Sequence, residues 1–381
     1  MELLFNDEEQ TLVEAVREYV ARDVAPWAAD RDESGSFPTE ELLTAAAMGF
    51  MGLAVPDDLG GSSLSAASTA IVYEEIARAS ASVAVILSVH NSLTCNAINQ
   101  YGTLEIKERL LPRLASGELI GAYCLTEPQA GSDAGAIRTR AVRDGDSWRI
   151  SGQKAFITSG AHAGVYIVFA VTDPEARTSR RITAFVVERD TPGIEVAPKE
   201  KKLGLLASEI NGIVFDSVVV PDRQILGEVG GGFGVAMSLL ATGRIGIAAQ
   251  ATGIAQAALD AGLAYAKERQ QFGQPIAQFQ AIQWKLADMA TEIDAARLLV
   301  RQAALMKDAG RDYIRQASEA KLFASEVASR AAGNAIQIHG GYGYIRDFGV
   351  ERLYRDAKAT ELYEGTSEIQ RLVIARHLLG Q

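Results

Sequence analysis

The chain has 381 residues, 48% of them hydrophobic and 22% charged, with a formal net charge of −11. That length allows two or three domains around a sizeable core, and an acidic balance without Lys or Arg runs argues against nucleic acid or an anionic membrane surface as a partner. The two cysteines, Cys95 and Cys124, lack C-x-x-C spacing, so neither a disulfide framework nor a zinc site follows, and a reducing compartment is the simplest setting.

The segment Met1 to Gln10 is acidic and has neither an apolar signal core nor an Arg-rich amphipathic presequence. The longest apolar stretches are short or broken by Ala and Gly, so no membrane span is expected. A bacterial cytoplasmic protein is the expectation, in preference to a mature mitochondrial matrix form. Four histidines (His90, His162, His339, His377) show no metal-ligand pairing and read as structural.

In chain order, the first third reads as helix. Leu12, Ala15, Val16, Tyr19 and Val20 recur at helical spacing, as do the apolar residues of Glu40 to Phe50. Leu64 to Ala79, Ala81 to Gln100 and Ile106 to Leu114 continue the pattern. Texture changes near residue 122. Trp148 to Ile150, Val165 to Val171, Ile182 to Val187, Ile213 to Phe215 and Val218 to Val220 are short β-branched and aromatic runs punctuated by Gly, Pro and Asp. Gly230-Gly231-Gly232 marks the return to long helices, with one stripe through Leu286, Met289, Ile293, Ala296 and Leu299 and another over Ala317 to Gln337. The expected organisation is a helical N-terminal domain (1–121), a middle β domain (122–230) and a helical C-terminal domain (231–381). Neither helical part alternates with strands as a βαβ fold would, and no G-x-G-x-x-G follows a strand, so a Rossmann sheet is not expected.

The end of the chain carries the sharpest chemical signal. In Tyr363-Glu364-Gly365-Thr366-Ser367-Glu368 a carboxylate sits at a joint between two helices. Gly365 occupies a position favoured for a helix C-terminal glycine, and Ser367 with Gln370 has capping-box spacing. Glu364 is thereby expected in the last turn of a helix, whose negative end raises its pKa and suits it to proton abstraction near neutral pH. On its own, a glutamate beside a helix turn is more often an ordinary surface residue.

Several further segments, taken together, resemble the acyl-CoA dehydrogenase family. They are Tyr123-Cys124-Leu125-Thr126-Glu127-Pro128-Gln129-Ala130-Gly131-Ser132-Asp133, Gly152 to Gly160, Gly243-Arg244-Ile245-Gly246, Arg269-Gln270-Gln271-Phe272-Gly273, Gln337 to Gly343, and the terminal Tyr-Glu-Gly-Thr. The resemblance spans the whole chain in order. The segment from residue 88 to 93 and the stretch Arg244 to Asp308 look most like the short-chain and short-branched members. The resemblance implies an α+β multidomain fold: a helical N-terminal domain, a β-barrel-like middle domain and a C-terminal four-helix bundle. It also implies FAD held between the last two domains, and a homotetramer built as a dimer of dimers.

By the same resemblance, Glu364 is the base that removes an α proton from an acyl-CoA thioester, giving a trans-2-enoyl-CoA. Its backbone N–H and a ribityl hydroxyl of FAD would hold the thioester carbonyl, and electrons would pass to an electron-transferring flavoprotein. A second family arrangement puts the base immediately before the Gly-Arg arginine; that residue here is Gly243, which cannot serve. Tyr123, Leu125, Thr126, Gly131 and Ser132 match the loop over the flavin. Phe156, Ile157 and Thr158 match the aromatic-x-threonine beside the ring, with Phe where Trp is frequent. Arg269, Gln271, Phe272 and Gln280 match the segment that reaches the ADP half of FAD across a subunit contact, where a planar, permanently charged guanidinium suits a pyrophosphate. Gln337, Gly340 and Gly341 approach the same phosphates, and Thr366 and Glu368 match contacts after the base. For the acyl-CoA the matches are Ser132, Arg244, Tyr363 and Gly365. No metal is implied.

Two positions depart from the pattern. Ala241 stands where an acid is frequent, three residues before Arg244, which bears on the local CoA contact; Leu206 stands where an arginine is common. Oxygen-reactive oxidases or monooxygenases on the same fold are the nearest alternative, but they often lose the Glu that this chain keeps. A DNA-associated repair flavoprotein would want a basic surface, against −11. A helical scaffold without flavin is the last alternative.

Overall fold

The computed structural model describes residues 5–380; Met1 to Leu4 and Gln381, parts of the outermost expected domains, lie outside the described residues. Seven helices come first: α1 (Asp7–Tyr19), α2 (Ala28–Ser34), α3 (Thr39–Ala47), α4 (Ala66–Ala79), α5 (Ala81–Ser88), α6 (Asn96–Tyr101) and α7 (Leu104–Ala115). Their starts follow from side-chain caps. Asn6 and Glu9 form a reciprocal capping box on α1, and Ser65, Ser80 and Thr103 cap α4, α5 and α7.

The single helix expected over Ala81 to Gln100 is interrupted. Val89–Cys95 is wound as a π-helix between α5 and α6. The reason is a set of buried polar side chains that claim backbone partners elsewhere. Asn91 donates to the Phe50 and Leu87 carbonyls and accepts from the Leu53 N–H. His90 Nδ1 accepts from the Gly121 N–H at 3.0 Å, while Nε2 faces the Met51 and Leu114 carbonyls at 3.0 and 3.2 Å. One ring nitrogen must accept and the other donate, so the imidazole is neutral.

Strands β1 (Gly121–Cys124), β2 (Arg140–Asp144), β3 (Ser147–Thr158), β4 (Val165–Val171), β5 (Ile182–Glu188), β6 (Ile194–Lys199), β7 (Ile210–Pro221) and β8 (Ile225–Leu226) form one sheet. Its path is β6-β7-β3-β2-β4-β5-β8, with β1 added to β4 in parallel; the ends of the path are not paired with each other. Every residue of β4 is buried because each face meets a core. Val165, Ile167 and Phe169 join the helical core; Tyr166, Val168 and Ala170 pack inside the curled sheet with Trp148 and Phe185. This is the physical reason for the unbroken apolar run.

The remaining helices are α8 (Gly232–Glu268), α9 (Gln280–Asp308), α10 (Ile314–His339), α11 (Val350–Thr360) and α12 (Ser367–Leu379), with a small hairpin β9 (Gln270–Gln271) and β10 (Gln274–Pro275) between α8 and α9. Helix α10 packs along α8, and α4 packs on α8 from the other side, so α8 joins the first helical region to the last. Met289, Ile293 and Ala296 are buried as the α9 stripe predicts. Ala81–Tyr101 and Gly232–Glu268 are long and apolar enough to cross a membrane by length and composition, but both are largely buried inside the fold.

Burial pushes the His90 pKa down to about 4 from an ordinary 6.5. Below pH 6.5 the unfolded chain takes up a proton that the folded chain refuses, so stability falls with pH until about 4 and then levels. The loss is about 3 kcal/mol. Thermal midpoints measured across this range are expected to fall less steeply for His90→Gln, which starts less stable at neutral pH.

Candidate active site

Helix α11 stops at Thr360, and Glu361 to Gly365 form the turn that leads to α12. Glu364 therefore lies beyond the helix, not in its last turn, and adopts φ +52°; Gly365 follows at +97°. The cap of α12 is Thr366, whose hydroxyl accepts from the Ile369 N–H; Ser367 is the first helical residue. Gln370 turns back instead, donating to the Glu364 and Gly365 carbonyls. The positive φ favours glycine at Gly365, and a Cβ there would also lie 2.7 Å from that amide and press it aside.

The Glu364 side chain points inward. Both carboxylate oxygens are shielded from solvent, and neither has a hydrogen-bond partner among the described residues. Burial raises its pKa to about 7, against the opposing pull of Lys321 and then Arg244. Burial, not a helix dipole, is thus the cause of the shift. Lys321 is fully buried on α10, and its ammonium donates to the Gly365 carbonyl. Arg244 on α8 is buried; Nη1 reaches Ser318 Oγ at 3.3 Å and Nε has no acceptor. Tyr363 Oη donates to Gln250 Oε1 at 2.6 Å, and Gln250 Nε2 donates to the Ala81 carbonyl at 2.9 Å. A Cβ built on Gly243 would lie 2.0 Å from Glu364 Oε2. Gly243 thus leaves the volume that the carboxylate occupies.

A second group of predicted residues lies on the loop after β1 and on β3. Glu127 and Lys154 form a buried ion pair at 2.8 Å. Lys154 also donates to the Leu125 carbonyl, and Glu127 accepts from the Arg138 and Thr139 N–H groups. Burial alone would raise the Glu127 carboxyl; Lys154 and these donors override it and hold it at about 2. The Ala155 N–H closes the loop on the Thr126 carbonyl. A β-bulge between Lys154 and Ile157 turns Phe156 (φ +57°) outward, 63% exposed, while Ile157 faces the sheet interior and Leu125 the helical core. Only the backbones of Leu125 and Ile157 are left to meet a ligand. Thr158 is half-buried, and Gly131 and Ser132 are exposed.

A third group lines a cleft of about 460 Å³ between the end of α8 and the end of α10, walled by Arg269, Gln271, Gly340, Gly341, Tyr265, His339 and Tyr342 among others. His339 stacks on Tyr265, and the Arg269 guanidinium lies over the Tyr342 ring. Phe272, Gln280 and Gln337 are not among its walls. Phe272 stands 93% exposed at the hairpin turn, and Gln280 and Gln337 are exposed on their helices. Glu368 is exposed at the start of α12.

Family descriptions of the acyl-CoA dehydrogenase N-terminal, middle and C-terminal domains match residues 6–118, 122–218 and 230–379. The chain belongs to the acyl-CoA dehydrogenase family. It is 46% identical over 370 residues to the human mitochondrial short-chain specific acyl-CoA dehydrogenase, covering 97% of this chain and 90% of that one. Butyryl-CoA dehydrogenase from Megasphaera elsdenii superimposes with a TM-score of 0.96 at 42% identity, covering 98% and 99%. A chain from a structure of the electron transferring flavoprotein of Acidaminococcus fermentans gives 0.97 at 40%, covering 99% of each.

As an acyl-CoA dehydrogenase the chain is a flavin oxidoreductase, and its cofactor is FAD. The residues present fit that group. A Cβ at Gly131, Gly340 or Gly341 would meet nothing within 4 Å, which leaves open space at three backbone approaches. Phe156 offers an uncovered ring, and Arg269 a cation beside the glycines. Among the described residues no group of three potential metal ligands converges. Sequence reading missed Lys321, Gln370, Gln250, Glu127 and Lys154. The signal was present for Lys321, a charge on the Ala317, Ala320, Ala324 stripe.

Gly243→Ala is expected to keep fold and flavin, because the clash falls on the mobile end of a side chain, yet to lower turnover at least about tenfold by displacing the carboxylate. Flavin absorbance and steady-state rates on one preparation check this.

Proposed function

We propose that the protein oxidises short-chain acyl-CoA thioesters to trans-2-enoyl-CoA, with Glu364 as the base. The observation that carries this is the dry, donor-free carboxylate beside two buried cations. A carboxyl poised at about 7 is half ionised at neutral pH and matched to removing a weakly acidic proton. Its Oε takes the α proton as the Cα–Cβ double bond forms, and the backbone N–H of Glu364 donates to the thioester carbonyl where negative charge gathers. FAD, when bound, accepts the hydride that leaves the β carbon. Thr126, Thr158 and the open backbones of Gly131 and Ser132 hold the flavin; Arg269, Gln271, Gly340 and Gly341 hold its phosphates; Thr366 and Glu368 add contacts beyond the base. Arg244, Tyr363, Gly365 and Ser132 serve the thioester side.

Short chains are favoured by the face of α8 that leads away from the base. Gly243, Gly246 and Gln250 lie along it, about 10 Å from first to last. A Cβ at Gly246 would sit 2.7 Å from Ser88 Oγ and 3.1 Å from the Tyr73 ring, so those groups already press on the helix. Behind them Gln250 bridges Tyr363 and the Ala81 carbonyl. An acyl tail running along this face meets a polar barrier within a few carbons.

Electrons then leave to an electron-transferring flavoprotein, a reading supported by the likeness to a chain from such a protein's structure. The exposed aromatic side chains of Phe272, Trp284 and Tyr344 support a homotetramer in which a neighbour covers them. The bacterial cytoplasm is the compartment we propose.

Glu364→Gln is expected to retain FAD and lose about 10³-fold or more in turnover of butyryl-CoA with a dye acceptor. In the parent enzyme the base must be ionised, so kcat/KM should rise with pH and level above about 7. Full activity in the variant would remove Glu364 from the chemistry. Gln250→Ala should extend the accepted chain by one or two methylenes, each worth about 1–3 kcal/mol; an acyl-CoA length series reads this directly.

A further inference from the structure

Beyond its charge near Glu364, Lys321 has been given no role in the chemistry so far, and lysine is almost never fully buried without a carboxylate in contact. Its one hydrogen bond among the described residues is to the carbonyl of Gly365, the residue after the base. The turn it holds contains two successive positive φ values, at Glu364 and Gly365, a conformation that needs outside support for a non-glycine residue. Gln370 grips the same carbonyl from α12. Meanwhile the Glu364 carboxylate has no hydrogen-bond donor among the described residues.

We propose that Lys321 is a positioning residue for the base: its ammonium fixes the Glu364–Gly365 turn through the Gly365 carbonyl and places a buried positive charge on the residue next to the carboxylate. This rests on Glu364 being the base. The charged and titratable groups around Glu364 come from four other elements. They are Arg244 on α8, Lys321 on α10, Tyr123 on β1 and Tyr73 on α4, with Tyr363 beside it in the turn. Burial keeps all three phenols protonated, so they carry no charge near pH 7. Arg244 is the other cation acting on Glu364, and its pull is the smaller. Around Lys321 itself stand Glu364, Arg244, Glu361 and Glu368. Losing the Lys321 charge destabilises the Glu364 anion, so the ionised base appears only at higher pH.

Two variants separate the charge from the hydrogen bond. Lys321→Gln retains a donor for the Gly365 carbonyl without the charge; Lys321→Arg retains both in another shape. With FAD-loaded enzyme, butyryl-CoA and a dye, the acid limb of kcat/KM is expected to move up by about one pH unit or more in Lys321→Gln. It should return towards the parent value in Lys321→Arg, with KM changed less than kcat. Flavin content and the thermal midpoint are read on the same samples. An unmoved limb in Lys321→Gln, with flavin retained, overturns the role. Should Lys321→Gln fail to hold flavin, Lys321→Arg decides: a parent-like limb supports the proposal, and a limb displaced upward despite the retained charge defeats it. Glu364→Gln runs alongside. If it turns over normally, the base assignment fails; if it is dead while Lys321→Gln keeps the parent limb, only the role of Lys321 fails.

Discussion

The site depends on keeping one carboxylate out of water without giving it a hydrogen bond. Burying an ionised carboxyl in that state costs several kcal/mol, and proteins ordinarily recover this with N–H donors in contact. Glu364 has none. Its compensation comes from Lys321 and Arg244, charges on separate helices that act through space. Such compensation works only if the helices stay put. The packing of α10 along α8, and of α4 against the other side of α8, is therefore part of the electrostatics and not only of the core. A donor in direct contact would have lowered the pKa further; without one the carboxyl stays at about 7 and only partly ionised near neutral pH.

Backbone strain is placed on the same residues. Of the seven non-glycine residues with positive φ among the described residues, three are candidate site residues: Phe156, Phe272 and Glu364. Each costs about 1–2 kcal/mol relative to an ordinary conformation. A β-bulge forces the first, a hairpin turn the second, and the Lys321 and Gln370 contacts hold the third. What each gains is direction. Phe156 leaves the sheet plane, and Glu364 turns inward from a surface turn. The Lys154–Glu127 pair does the same for the loop above, fixing the Leu125 carbonyl from inside the sheet so that Thr126 and Gly131 stay on its rim.

Much of the fold was legible because it is local. The strand runs, the helical stripes of α4 and α9 and the break at Gly230-Gly231-Gly232 follow from periodicity and punctuation. The π-helix over Val89–Cys95 was not, since the reason for it lies in carbonyls of residues 50, 51, 87 and 114. The α12 cap fell one residue early for a similar reason. Gln370, which the capping-box spacing assigned to Ser367, is held by the Glu364–Gly365 turn instead. At the candidate site, motifs singled out Glu364, Arg244 and the cleft residues, but could not tell that Ile157 and Leu125 face inward. Nor could they reveal Phe272 as fully uncovered. Lys321, Gln250 and Lys154 were visible only as polar residues on apolar faces, a pattern that becomes informative once the face is known to be buried. The departure at Leu206 stays without a structural account.

The departure at Ala241 has one. Ala241 is buried three residues before Arg244 on α8, where a carboxylate side chain would face the guanidinium. Without it Arg244 is left with Ser318 and an unpartnered Nε, so its charge is free to act on Glu364 and on Tyr313. The neighbouring Gly243 completes the arrangement. A side chain there would occupy the space of the Glu364 carboxylate, so α8 and the terminal turn offer two routes to one volume, and only one can be filled. In this chain the helix supplies the cation and the vacancy, and the turn supplies the buried carboxylate. An acid returned to position 241 would draw the Arg244 charge away from Glu364, whereas a side chain at 243 would push the carboxylate aside. The basicity of Glu364 is thus a property of α8 as much as of the residue that carries it.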